Sequence, residues 1–240
     1  MGTSRLADDI SILEVVSSAS IACGFHAGDA TSMRETVRAA HERGVAIGAH
    51  VSYPDIPGFG RRELGLDARE IARHVRAQID SLGKVCVAEN ARVRYVKPHG
   101  ALYNRAARDP DAAAAVVRAI RETRPELILL GLARSEMARA AATAGIRFAS
   151  EAFVDRAYTD QLRLVPRDEP RALIENIDEA VARAVALVQR KMMTTIDGAE
   201  VPLDAESLCV HGDTTNALGL VRALRLALEA SGAGVAPFAA

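Results

Sequence analysis

Four of the six histidines lie directly after a short apolar run that is typical of a β-strand. These four are His26, His50, His99 and His211. His41 and His74 instead lie among charged residues in helical segments, where we expect surface side chains. Because parallel α/β folds assemble their sites at the carboxyl ends of strands, we expect the four imidazoles to belong to a functional site. Histidine titrates near neutral pH, so it suits proton transfer or metal binding.

Carboxylate and hydroxyl groups accompany these histidines. Asp29 follows His26, Ser52 and Asp55 follow His50, and Asp213 follows His211. A histidine paired with a carboxylate can transfer protons or hold a divalent metal, so the pattern favours acid–base catalysis or metal-assisted hydrolysis. Asp29 could equally cap the helix that starts near Ala30, and the two roles do not exclude each other.

A buried lysine adds a positive charge to the same edge. Lys97 ends an apolar strand just before Pro98, and Tyr103 and Asn104 follow closely. A lysine in this position serves an anionic group or a developing oxyanion; a salt bridge is the alternative. We expect the functional role, because the hydrogen-bonding groups of Tyr103 and Asn104 follow at once.

Two loops contain further charged candidates. The stretch Gly58–Arg62 could wrap an anionic ligand with backbone amides and the guanidinium groups of Arg61 and Arg62, although a Gly-x-Gly pattern alone is weak. The segment Glu151–Pro170 contains Asp155 and is longer than an ordinary connection. We expect a functional loop or lid there, with an exposed charged loop as the alternative.

Composition excludes several classes of protein. Apolar residues make up 49% of the 240 residues and charged residues 25%, as in a globular domain. The net charge of -1 gives no basic footprint for nucleic acid or for an anionic membrane surface. No apolar stretch approaches the roughly 20 residues that span a bilayer. The three cysteines form no Cys-x-x-Cys pair, so we expect a reducing compartment and a cytoplasmic location.

Short apolar runs alternate with amphipathic helical segments, which predicts βα units and a parallel sheet. The predicted strands are Ser20–Cys23, Val45–His50, Val93–Lys97, Leu127–Gly131, Ile146–Ser150 and Leu208–His211. The predicted helices are Thr31–Arg43, Asp67–Ala88, Asp111–Thr123, Arg134–Ala144 and one beginning at Pro170. A hairpin is expected in Lys191–Glu206, and a frayed tail over Ser231–Ala240. We treat residues 1–240 as a single domain.

Six motifs in order resemble the LamB/YcsF family. They are Cys23–Asp29, Gly48–Asp55 with Gly58–Arg62, Val96–Asn104, Glu151–Tyr158, Leu164–Arg167 and Val210–Thr214. Together they cover nearly the whole chain, and their order is more specific than any single motif. No P-loop, dinucleotide fingerprint, Gly-x-Ser-x-Gly elbow or His-Glu-x-x-His motif is present in the sequence.

The resemblance implies a distorted seven-stranded β/α barrel of the glycoside hydrolase and deacetylase type. It also implies ATP-dependent opening of 5-oxo-L-proline to L-glutamate by the A component of a 5-oxoprolinase, with the B and C subunits completing the enzyme. ATP would act with Mg²⁺, whereas the use of a bound metal and a homo-oligomeric state stay open.

The same resemblance sets an expectation for the start of the chain. Family members usually begin with a strand that contains Asp-Leu-Asn-x-Asp-x-Gly-Glu. We expect that first strand to be missing here, because Gly2 matches the end of the motif and Arg5 begins the loop that follows it. A start codon placed too far downstream or a truncated gene would explain this, and a truly truncated chain would be inactive.

The implied chemistry assigns roles to the candidates. As base and proton donor we consider Asp29, His26, or His211 with Asp213; Lys97 and His99 would stabilise negative charge. The expected substrate-binding side chains are His50, Ser52, Arg61, Arg62, Tyr103, Asn104, Glu151 and Asp155. A metal, if one is used, would be held by His26, His50 or His211. The alternatives are a metal-dependent deacylase or amidohydrolase that needs no ATP, and a subunit that only binds substrate.

Overall fold

The computed structural model describes Met1 and residues 6–239. It confirms the α/β class, because parallel strands alternate with helices along the described chain. The elements are α1 (Leu6–Leu13), β1 (Ser18–Ala22), α2 (Ala30–Glu42), β2 (Ala46–Val51), α3 (Ala68–Ala88), β3 (Val93–Pro98), α4 (Gly100–Arg108), α5 (Pro110–Thr123), β4 (Ile128–Leu132), α6 (Glu136–Ala144), β5 (Phe148–Phe153), α7 (Ile177–Arg190), β6 (Met192–Thr194), β7 (Glu200–Pro202), β8 (Ser207–Cys209) and α8 (Ala217–Ala230). All six predicted strands are present with small shifts of their ends.

The chain divides into two compact units. The first contains Met1–Ala149 and Pro237–Ala240, and the second contains Ser150–Ala236. The assignment of residues 1–240 to a single domain stays a prediction. None of the helices in the described part of the chain combines the length and apolar character that crossing a lipid bilayer requires.

The sheet of the first unit sets the position of its polar side chains. β1 pairs with β2 in parallel, with Ala22 opposite His50. β2 pairs with β3 in parallel, with His50 opposite Lys97, and β3 pairs with β4. Since all three alignments run in one direction, the residues that end these strands lie along one edge of the sheet.

Helices cover this sheet as their apolar spacing predicts. In α2, Met33, Val37 and Ala40 are buried, which confirms the face expected from their spacing. α3 begins after Asp67, whose carboxylate accepts hydrogen bonds from the backbone amides of Arg69 and Glu70. The interior is therefore built mainly from aliphatic side chains, as the low aromatic content indicates.

The second unit is organised around β5 and β8. These strands pair in parallel, with Ala152 opposite Leu208, and Val154 packs in an apolar cluster with residues of α7 and α8. The hairpin predicted in 191–206 is confirmed by the antiparallel pairing of β6 with β7. Gly198, in the turn between them, has a φ of 83°, which suits glycine.

Two predictions about the chain's later part are wrong. No helix starts at Pro170, because Arg171 adopts a φ of 64° and breaks the right-handed geometry. α7 begins instead after Asn176, whose side chain accepts a hydrogen bond from the amide of Glu179. The tail is packed rather than frayed. The ring centroids of Phe238 and Tyr95 lie 5.0 Å apart, and the backbone carbonyl of Phe238 accepts a hydrogen bond from the guanidinium group of Arg147 at 2.9 Å.

The expected absence of a first strand stays a prediction. Gly2 and Arg5, on which it rests, lie outside the described residues. Met1 itself lies beside β1: its ammonium group donates to the carbonyl of Ser20 at 3.1 Å, and its carbonyl accepts from the amide of Ala22 at 2.9 Å.

Candidate functional site

Three of the four predicted histidines meet in the first unit. His26 follows β1, His50 lies near the end of β2, and His99 follows β3. The rings of His26 and His99 are stacked with centroids 4.2 Å apart, and His50 meets His99 edge-on at 4.7 Å. One nitrogen from each ring lies within 4.8 Å of the other two. Parallel pairing of three successive strands thus converts distant sequence positions into one cluster.

The hydrogen bonds of two rings fix where their protons lie. His50 Nδ1 lies 3.2 Å from the carbonyl oxygen of Lys97, and His99 Nε2 lies 2.9 Å from that of Phe59. A carbonyl oxygen only accepts, so each of these nitrogens is the donor. In a neutral ring the other nitrogen then presents a lone pair. These two lone-pair nitrogens, His50 Nε2 and His99 Nδ1, face each other at 3.0 Å.

Burial keeps two of the three rings uncharged. It lowers the pKa of His26 to about 3, helped by the charges of the N-terminal ammonium and Arg61. The pKa of His50 falls well below its usual range, mainly through burial and then through His99, His26 and Lys97. At neutral pH both imidazoles are therefore neutral.

A tight loop covers the cluster. Phe59 packs edge-on against His26 and His99, with centroids 5.6 Å and 5.3 Å away. Gly60 follows with a φ of 66°, and a Cβ there would lie 2.1 Å from Ser52 Oγ and 2.9 Å from His26 Cβ. Only glycine fits this position, because both the backbone geometry and the available space exclude a side chain.

Lys97, Tyr103 and Ser52 are buried, whereas Asn104 is exposed. Ser52 is held by its backbone: its amide donates to Gln78 Oε1 at 2.9 Å, and its carbonyl accepts from Gln78 Nε2 at 2.8 Å. Within the described residues Ser52 Oγ has no hydrogen-bond partner. That Lys97 and His99 stabilise negative charge stays a prediction.

Two candidates are engaged in local structure. Asp29 is exposed and caps α2, its carboxylate accepting from the amide of Ser32 at 2.8 Å, so the capping interpretation is confirmed. Arg62 forms an ion pair with the buried carboxylate of Asp55, which also accepts from the amide of Gly58. Arg62 therefore anchors the loop, and Arg61, which lies 5.0 Å from the Phe59 ring, is the exposed guanidinium beside the cluster.

The second unit holds the fourth histidine in a carboxylate pair. His211 Nδ1 lies 2.8 Å and 2.9 Å from the two oxygens of Asp155. The carboxylate also accepts from Thr214 Oγ1 at 2.7 Å and from the His211 amide at 3.2 Å. The ring stacks on Phe153 with centroids 5.3 Å apart. These contacts fix the orientation of the imidazole and leave Nε2 as its basic nitrogen.

Asp155 is ionised in this arrangement. Burial raises the pKa of its carboxyl group, but the hydrogen bonds and charge of His211, with the hydroxyl of Thr214, outweigh burial and bring it to about 2. Asp155, expected to bind substrate, thus orients His211, whereas Asp213, which the sequence pattern paired with His211, is exposed. Glu151 and Arg156 are buried as well, so the alternative of an exposed charged loop is wrong for these residues.

Sequence reasoning missed two supporting residues. Gln78 lies on the same face of α3 as the buried Val75 and Leu82, and a polar side chain in that apolar stripe was the available signal. Thr214 lies three residues after His211, and nothing in the sequence around it indicates that its hydroxyl group contacts Asp155. The expected metal set of His26, His50 and His211 also differs from the observed grouping, in which His99 accompanies His26 and His50.

Comparison with known proteins gives a consistent family. The model of the LamB/YcsF family matches residues 1–240. The chain is 47% identical over 239 residues to a protein from Paracidovorax citrulli that is named as the A component of 5-oxoprolinase, covering 100% of this chain and 95% of that protein. A protein of the same name from Streptomyces griseus is 48% identical over 238 residues, covering 99% and 95%.

Solved structures match the fold of the chain. The crystal structure of a lactam utilization protein from Thermus thermophilus matches with a TM-score of 0.90 and 41% identity, covering 96% of this chain and 92% of that one. A putative cellobiose-phosphate cleavage protein from Enterococcus faecalis matches with a TM-score of 0.57 at 12% identity over 97% of this chain and 91% of that one, a likeness of fold alone.

Proposed function

The chain belongs to the LamB/YcsF family, and from this premise we propose that it opens the ring amide of 5-oxoproline to give glutamate, as the A component of a multi-subunit 5-oxoprolinase. Relatives that share nearly half of their residues with it over almost its whole length are named for that activity. The name of the related crystal structure, a lactam utilization protein, refers to the same chemical class of cyclic amide.

The observation that carries the proposal is the contact between Asp155 and His211. Hydrolysis of an amide requires a base that takes a proton from water and an acid that gives one to the leaving nitrogen. His211 Nε2 can perform both steps in turn, because Nδ1 keeps its proton through the 2.8 Å hydrogen bond to Asp155. The ionised carboxylate also stabilises the imidazolium that forms between the two steps.

We further propose that ATP with Mg²⁺ drives the reaction and that the B and C subunits complete the enzyme. A five-membered lactam is an unstrained amide with a poor leaving group, and glutamate re-forms the ring readily. Coupling to ATP hydrolysis makes ring opening favourable. The sequence holds no Gly-x-x-x-x-Gly-Lys-Ser/Thr motif, which supports placing the nucleotide-dependent step with a partner protein.

A cytoplasmic location completes the proposal. It is supported by the cellular supply of ATP and by three cysteines that are all free thiols, of which Cys23 and Cys86 are buried.

The experiment reconstitutes the full chain with B and C subunits of a related enzyme and measures glutamate release from 5-oxoproline with and without ATP. We expect ATP-dependent release by the wild-type chain and a large loss in His211→Gln. His41→Gln, on the exposed face of α2, is the matched control and keeps full activity. The proposal fails if the folded chain, shown to associate with its partners, releases no glutamate, or if His211→Gln is as active as the control.

A further inference from the structure

We propose that His26, His50 and His99 form a binding site for a first-row divalent transition metal of the zinc type. This inference is separate from the proposed opening of 5-oxoproline, because it concerns residues that the chemistry of Asp155 and His211 does not use. It rests on three observations in the first unit: facing lone pairs, an unpartnered buried nitrogen, and outer hydrogen bonds that aim the rings.

The facing lone pairs are the strongest observation. His50 Nε2 and His99 Nδ1 are 3.0 Å apart, yet each ring already donates its proton to a backbone carbonyl on its far side. While both rings are neutral, these two acceptors repel each other unless a proton or a metal ion lies between them. A metal ion that both nitrogens coordinate removes the repulsion.

The third ring supplies the missing ligand. His26 is 2% exposed, and its Nδ1 has no hydrogen-bond partner among the described residues. A buried polar nitrogen in this state costs free energy that a ligand recovers. One nitrogen of His26 lies within 4.8 Å of one nitrogen of each of the other two rings. Zinc–nitrogen bonds of about 2.0–2.1 Å at tetrahedral angles place the nitrogens about 3.3 Å apart. Coordination therefore requires His26 to tilt out of its stack on His99 and to approach by up to about 1.5 Å.

The outer contacts match those of metal-binding histidines. Such rings usually donate their second N–H to a carbonyl or carboxylate, which fixes the tautomer and directs the free nitrogen at the ion. His50 does this with Lys97 and His99 does it with Phe59.

The charge of the surroundings indicates what completes the coordination. Three neutral imidazoles leave the double positive charge of the ion uncompensated, and Lys97 and Arg61 add positive charge nearby. A three-ligand site also leaves a fourth position open. We therefore expect an anionic fourth ligand, either hydroxide or a carboxylate.

The test uses the full chain, freed of metal with a chelator and then titrated with Co²⁺ and with Zn²⁺. We expect one ion per chain by calorimetry, the visible absorption of four-coordinate Co²⁺, and changed ¹⁵N chemical shifts for three histidine rings. In the metal-free wild type, the ¹⁵N spectrum should show proton-free nitrogens at His50 Nε2 and His99 Nδ1. The spectrum depends on no variant.

Variants assign the ligands. His99→Gln should lower the affinity by more than the roughly 10- to 100-fold that loss of an outer contact costs. His41→Gln, on the surface, and His211→Gln, in the second unit, should bind as the wild type does. Circular dichroism confirms that each variant is folded. The proposal is overturned if the wild type shows no saturable binding of Co²⁺, or if a proton shared between His50 and His99 occupies the position of the metal ion. It is also overturned if the affinity for the metal is unchanged in both His99→Gln and His26→Gln.

Discussion

Asp155 contacts Nδ1 of His211 through both carboxylate oxygens, at 2.8 Å and 2.9 Å. The two residues are far apart in sequence, and the parallel pairing of β5 with β8 brings them together. Since the same carboxylate also accepts from Thr214 and from the His211 amide, the imidazole has one orientation and one tautomer. This pair therefore bears both on catalysis and on the stability of the chain towards acid.

Replacement of Asp155 tests the orienting contact. In Asp155→Asn the amide no longer fixes the His211 tautomer or stabilises its imidazolium, so we expect kcat to fall by about 10²- to 10⁴-fold with KM little changed. Glutamate release by the reconstituted complex measures this. Asp160→Asn, an exposed position in the same loop, is the control and should be fully active. A larger loss in Asp213→Asn than in Asp155→Asn would show that the exposed carboxylate is the partner.

The stability of the chain towards acid should depend on Asp155. Its carboxyl pKa is about 2 in the folded chain against 3.8 for an ordinary aspartate. A depressed pKa contributes stability that is fully present above pH 4 and is lost as the pH falls to 2, an amount of about 2 kcal/mol. Urea unfolding at a series of pH values measures the effect. Between pH 4 and pH 2 the wild type should lose about 2 kcal/mol more than Asp155→Asn does. If the free energy of unfolding depends on pH in the same way in both proteins, the ion pair between Asp155 and His211 is contradicted.

A methyl group at Gly60 should disturb the histidine cluster. Gly60→Ala adds a Cβ 2.1 Å from Ser52 Oγ at a φ of 66°, so we expect a loss of roughly 2–4 kcal/mol in the free energy of unfolding. Gly65→Ala is a matched control, because Gly65 has a φ of 64° and no atom within 4 Å of its added Cβ. It should lose only about 1 kcal/mol, the cost of the backbone geometry. An equal loss of stability in Gly60→Ala and Gly65→Ala would mean that crowding against Ser52 does not destabilise the chain.

Gln78 should stabilise the end of β2. Gln78→Leu leaves the amide and carbonyl of Ser52 buried without their present partners, so we expect unfolding to become easier by about 2–4 kcal/mol. Thermal and urea unfolding measure the change. Gln189→Leu, at an exposed position of α7, should stay within about 0.5 kcal/mol of the wild type. A Gln78 variant as stable as this control would show that water replaces the side chain.

Six of the strands and four of the eight helices in the described residues, namely α2, α3, α5 and α6, could be predicted because they depend on local patterns. Each buried strand is a short apolar run bounded by polar or small residues, and the ends of helices follow from residues such as Asp67 and Gly145. The failure at Pro170 has a local cause too, since the positive φ of Arg171 leaves no mark in composition. The four strand-end histidines could be identified for the same reason: their positions relative to strands are a local property.

Pairing between distant residues could not be predicted. Asp213 is two residues from His211 and looked like its partner, whereas Asp155 reaches the ring only through the β5–β8 pairing. Arg62 looked available for a substrate carboxylate until the loop geometry placed it on Asp55. Which histidines share a cluster likewise depends on strand register, which places His50 opposite Lys97.

The contact of Phe238 with Tyr95 bears on the order in which the protein is made. The ribosome synthesises Tyr95 early and Phe238 only after the entire stretch Ser150–Ala236, yet Phe238 and Ala239 pack with Ala46 and Ala149 in the first unit. The first unit therefore lacks part of its apolar packing until the second unit has been synthesised. Until then Tyr95 lacks its aromatic neighbour, so part of this apolar surface stays uncovered on the nascent chain.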